Sequence, residues 1–80
     1  MNLIATFHNV PSAVIRDSIS RTDRSTTDGD CGVRIHEYRT DRTGDHIAIT
    51  GEAQQIMFVM GEIAAHGENG LTGVRPIESN

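Results

Sequence analysis

Val33-Arg34-Ile35-His36-Glu37-Tyr38-Arg39-Thr40-Asp41-Arg42-Thr43-Gly44-Asp45-His46-Ile47-Ala48-Ile49-Thr50 decides the fold. Val33 and Ile35 alternate with Arg34, His36 and Tyr38, the period of a half-exposed strand from Val33 to Arg39. His46 to Thr50 alternates in the same way. Asp41 to Asp45 is a turn. A three-residue loop, Arg42-Thr43-Gly44, would use Gly44 in the left-handed position of a G1 bulge. Asp41 then faces Asp45, Arg39 faces Ile47, Glu37 faces Ile49 and Tyr38 faces Ala48. That register gathers Val33, Ile35, Ile47 and Ile49 on one side, whereas a two- or four-residue loop would split them between faces.

Outward from the hairpin, Leu3-Ile4-Ala5-Thr6-Phe7-His8 is a short, apolar, β-branched and aromatic run, read as a buried strand. Pro11 suits the first turn of a helix. Val14, Ile15, Ser18 and Ile19 form one stripe of a helix from about Pro11 to Arg21. Ser25 to Asp30 is a polar loop. After the hairpin, Thr50 caps a second helix that runs to about His66 and stops at Gly67. Its core-facing stripe is Ala53, Ile56, Met57, Met60, Ile63 and Ala64. Gly70 to Ile77 is a final strand, and Pro76 restricts it to an edge. The order β-α-β-β-α-β is the ferredoxin-like, split-βαβ arrangement of the α+β class, a four-stranded antiparallel sheet with two helices on one face. It puts the two most apolar strands, the first and third, in the centre. The charged second strand and the proline-bearing fourth strand take the edges.

The chain has 80 residues, which allows one domain. Its eleven carboxylates exceed its seven basic residues, for a net charge of −4. The pI near 5.4 argues against non-specific nucleic-acid binding. One cysteine excludes a disulfide framework. No apolar run reaches the length of a membrane span, and Met1-Asn2-Leu3-Ile4 lacks the basic start of a signal peptide. All the basic residues are arginine, and arginine codons are GC-rich. The expected source is therefore a GC-rich bacterium or its phage, and the expected location the bacterial cytoplasm.

Chemistry is hard to place. His8, His36 and His46 share the open sheet face in this layout, with His46 opposite Thr40 and His36 opposite Thr50. His36 then lies on the order of 13 Å from His46 and roughly 10 Å from His8, too far to share one zinc. Cys31 has no base at local spacing and reads as a small semi-buried residue. Gly67, Gly70 and Gly73 match no phosphate-loop pattern, and Asp28 and Asp30 sit in a loop without the form of a calcium loop. Tyr38 lies on an edge strand and Phe7 on the covered face, so the aromatic platform of an RNA-binding sheet is missing. The expectation is no catalytic residue, no metal, no cofactor and no specific nucleic acid.

Helix 2 asks for a partner. Ile56-Met57-Phe58-Val59-Met60 is apolar all round, yet one sheet covers only one stripe. Phe58 and Val59 fall off that stripe: either helix 1 or the C-terminal segment covers them, or they are the contact with a protein partner or a second copy of the chain. A second candidate surface is charged: Arg34, His36, Tyr38 and Arg39 on strand 2, Arg42 in its turn, and Arg21 and Arg24 after helix 1.

In size and layout this small, acidic, lysine-free chain resembles the phage-encoded anti-CRISPR proteins. The resemblance covers the whole chain and rests on no motif, so it transfers no residue. It implies a non-enzymatic inhibitor that docks on a CRISPR effector complex and blocks target-DNA binding or nuclease recruitment. The carboxylates are interleaved with arginines, unlike the dense acidic face of a DNA mimic, so occlusion through specific contacts is expected. The alternative is an ACT-like ligand-binding or dimerisation module of a bacterial regulatory protein.

Overall fold

The computed structural model describes residues 1–77. Six elements follow in the expected order: β1 (Asn2–His8), α1 (Ser12–Arg24), β2 (Arg34–Asp41), β3 (Gly44–Glu52), α2 (Ala53–Ala65) and β4 (Leu71–Pro76). The strands form one antiparallel sheet in the order β2-β3-β1-β4, the ferredoxin-like layout. The apolar β1 and β3 are central. The core joins Ala5, Phe7, Ile47 and Ile49 of the sheet to Ile15 of α1, Ile56, Val59 and Ile63 of α2, and Val10, Cys31 and Val33 of the connections.

The hairpin closes differently from the sequence reading. Its loop has two residues, Arg42 and Thr43, and Asp41 pairs with Gly44. Arg39 therefore faces His46, Tyr38 faces Ile47, and Glu37 faces Ala48. Continued along the strand, this pairing would send Ile35 to the wrong face. A bulge corrects it. The register shifts between Ile35 and Glu37, so that Ile35 meets Ile49 and Arg34 meets Thr50, with His36 as the extra residue. The apolar faces agree as expected, by means of the bulge rather than the loop length. Among the described non-glycine residues only Asn9 has a positive φ, so Arg42 and Thr43 do not form the I′ turn usual in two-residue hairpins. Gly44 takes the unusual backbone instead, at φ 120°.

Both helices differ in their bounds. α1 continues past Arg21 to Arg24, held by a bond in which the Thr22 hydroxyl donates to the Ser18 carbonyl at 3.0 Å. Pro11 caps it from outside, its carbonyl accepting from the Val14 and Ile15 N–H groups. Thr50 is not the cap of α2. Pairing with β1 keeps Thr50, Gly51 and Glu52 in the sheet, and Glu52 Oε2 accepts from the Gln54 N–H at 3.0 Å. The far end of α2 stops at Gly67 as expected, at φ 83°.

Candidate functional site

α2 sits on the sheet with α1 beside it, and this second neighbour decides which of its side chains are covered. Ile56, Val59 and Ile63 recur at helical spacing and are buried. Val59 is 0 % exposed, so it belongs to the core and is removed from the expected partner surface. Its stripe is turned towards Val59 relative to the expected one, because α1 as well as the sheet offers apolar surface. Met57, expected in the core, is correspondingly pushed out to 67 % exposure, and Ala64 is exposed too. Phe58 is 55 % exposed, as expected of a residue off the core stripe. Met57 and Phe58 are thus adjacent, large and apolar on the outer side of α2. Phe58 also walls a groove of about 390 Å³ between α2 and the end of α1, with Thr22, Thr26, Gln55 and Glu62 among its other walls.

Three of the candidate arginines, Arg21, Arg34 and Arg39, are engaged within the chain. Arg21 pairs with Asp17 at 3.0 Å, and Asp17 also meets His66 Nε2 at 3.0 Å, tying α1 to the end of α2. Arg34 forks onto both oxygens of Asp30, at 3.1 and 2.9 Å. Arg39 lies between Glu37 and Asp41. Arg24 and Arg42 make no ion pair among the described residues. Arg21 and Arg24 occupy the last turn of α1, where positive charge complements the helix dipole. The charged candidates do not form one patch. Arg34 and Arg39 share the sheet face away from the helices, by their pairing with Thr50 and His46. Tyr38 pairs with Ile47 and so lies on the opposite, helix-bearing face, at 46 % exposure. The expectation that Tyr38 shares a face with Arg34 and His36 is corrected: the bulge at His36 inverts the alternation beyond it.

The bulge and the two-residue turn also change the histidines. His46 faces Arg39, not Thr40, and Arg34 rather than His36 faces Thr50. His8 pairs directly with His46, their rings stacked with centroids 4.9 Å apart. Both rings clamp the hairpin turn. His8 Nε2 donates to the Thr43 carbonyl at 2.6 Å. His46 Nε2 meets Asp41 Oδ1 at 3.2 Å and the Thr43 hydroxyl at 2.9 Å. Asn9 completes the clamp: its N–H donates to the Asp45 carbonyl, and its Oδ1 accepts from the Asp45 N–H at 3.0 Å. Sequence reasoning missed this cluster. The available signal was Asn9 itself, a residue tolerant of positive φ directly after a strand. Among the described residues, no three His, Cys, Asp or Glu side chains gather as a metal set.

Cys31 is buried, and burial, with Asp23 beside it, pushes its thiol pKa up. That direction is opposite to what a nucleophile needs. Four carboxyls are instead held below their ordinary value of 3.8. Thr43 donors, with His46 and Arg39, act on Asp41, and Arg21 and His66 on Asp17. Cys31 donors act on Asp23, and Arg34 with the Gly32 N–H on Asp30. A depressed folded-state pKa means that the unfolded chain takes up protons first. The stabilisation is complete above the unfolded value and lost as pH falls through the folded one. The urea midpoint is therefore expected to hold level from pH 7 to 5 and to fall below about pH 4. A midpoint unchanged down to pH 3 would contradict these pairings.

No protein-family model, curated protein or solved structure matches this chain.

Proposed function

We propose that the chain is a non-enzymatic binding protein that docks on a CRISPR effector complex through the outer side of α2, blocking target-DNA binding or nuclease recruitment. The observation that carries docking is the exposure of Met57 and Phe58, side by side over a core already closed by Ile56, Val59 and Ile63. Burying a side chain of this size contributes roughly 1.5–3 kcal/mol, and methionine and phenylalanine are common at adaptable interfaces. The choice of partner rests on the resemblance in size and layout to anti-CRISPR proteins, and sets the chain in the cytoplasm of a bacterial host. Among the described residues, no helix is long and apolar enough to cross a membrane. The test is to add the protein to purified effector complexes and titrate target DNA. Lost DNA binding or lost nuclease recruitment is the expected result. Unchanged binding and cleavage would overturn the choice of partner.

The ACT-like alternative draws on β2, an eight-residue edge strand exposed along nearly all its length. A second copy pairing along β2 would give a stable dimer whose interface leaves Met57 and Phe58 in solvent.

A further inference from the structure

The sheet face away from the helices carries a groove of about 720 Å³, walled by Ile4, His36, Thr50, Arg75, Pro76 and Ile77. One row of side chains crosses all four strands there. Arg34 pairs with Thr50, Thr50 with Ile4, and Ile4 with Arg75. Ile4 is buried although no helix covers this face, so its neighbours form a real concavity around it. Ile77 is fixed beside it by its N–H, which donates to the Asn2 carbonyl at 2.9 Å.

The two ends of this face differ in chemistry. Towards the hairpin turn, His8, His46, Arg39, Asp41 and Thr43 are bonded to one another or to the turn. In the groove, the side chains of His36, Thr50 and Arg75 have no hydrogen-bond partner among the described residues. Arg34, the other arginine of the row, is neutralised by Asp30, whereas Arg75 meets no carboxylate among the described residues. The bulge puts His36 here: it is the unpaired residue of the register shift, and bulges commonly re-aim a side chain at a site.

We propose that this groove binds a small organic anion, a carboxylate or phosphate head on a short apolar body. Arg75 takes the head through its guanidinium fork. The Thr50 hydroxyl and a ring N–H of His36 add donors. Ile4, Pro76 and Ile77 take the apolar body. The volume is in the range of small-molecule sites. The chain's net negative charge opposes capture only weakly, because charges more than about 8–10 Å away are screened at physiological salt. The site lies across the sheet from α2, so it is independent of the docking surface and goes beyond it.

The test is a titration of the ¹⁵N-labelled full chain with hexanoate and with hexyl phosphate, followed by amide chemical shifts. Inorganic phosphate and hexanol serve as controls. Saturable shifts confined to Ile4, His36, Thr50, Arg75 and Ile77 are expected with at least one of the two amphipathic anions, and the tighter one identifies the head group. Arg75→Gln is expected to weaken binding about tenfold or more, and His36→Gln to weaken it by less. Both positions are exposed, and an unchanged spectrum elsewhere shows that each variant is folded. Shifts that do not saturate or that spread over the surface would overturn the proposal. So would equal binding of inorganic phosphate or of hexanol, or an Arg75→Gln protein that binds like the wild type.

Discussion

Val59→Asp is expected to unfold the protein at room temperature. Val59 is fully buried between the sheet and α1. A carboxylate there has no cation to pair with in the surrounding cluster of Ile15, Ile49, Ile56 and Ile63. The loss is ~4 kcal/mol or more. A chain this small holds ~5 kcal/mol in total, so little folded protein remains. Circular dichroism at 25 °C checks this. A cooperative melt close to that of the wild type would mean that α2 is turned the other way, with Val59 outward.

The second large effect is at the hairpin. Gly44→Val is expected to lower the melting temperature by ~10 °C. Two separate causes add. At φ 120° a residue with a Cβ is strained, at ~1–2 kcal/mol. A Cβ on Gly44 would also lie 2.0 Å from Asn9 Oδ1, the atom that accepts from the Asp45 N–H. Displacing Asn9 breaks that bond, at ~1 kcal/mol more. For a domain of this size each kcal/mol moves the midpoint by ~4–8 °C. Asn9→Gly separates the causes, because glycine keeps the φ of 60° at position 9 without strain, removes the bond and leaves the backbone of Gly44 as it is. A Gly44→Val protein that melts with the wild type would contradict both.

The fold was legible in the sequence because period and punctuation agreed. Alternation in Val33–Arg39 and His46–Thr50, proline in the last strand, and charge on the second strand all pointed to one layout. The register of the hairpin was not legible. Its reading assumed that one device, the loop length, must align the apolar faces. The chain uses two, a two-residue turn and a bulge at His36, and a bulge leaves no mark in the alternation of so short a strand. The error of face is confined to the residues between the turn and the bulge, which is why Tyr38 fell on the wrong face. The His8–His46 stack depends on the register of β1 against β3, which the hairpin pattern does not carry. Helix 2 shows a different limit. With apolar residues all round, Ile56 to Met60 fits several rotations about the helix axis. The choice is made by α1, a neighbour that periodicity does not reveal. Phe58 was placed outward and is outward, while its neighbours Met57 and Val59 exchange the roles expected of them.

The docking surface is tested most directly by one substitution on the solvent side of α2. Phe58→Asp adds a charge to a side chain that is already half in water, so the circular dichroism spectrum and melting temperature are expected to stay near those of the wild type. Binding to the effector complex, followed by co-elution in size-exclusion chromatography, is expected to be lost, because the charge would have to be buried in the interface. A folded Phe58→Asp protein that co-elutes as the wild type does would contradict a docking surface on α2 and leave the arginines of β2 to carry it.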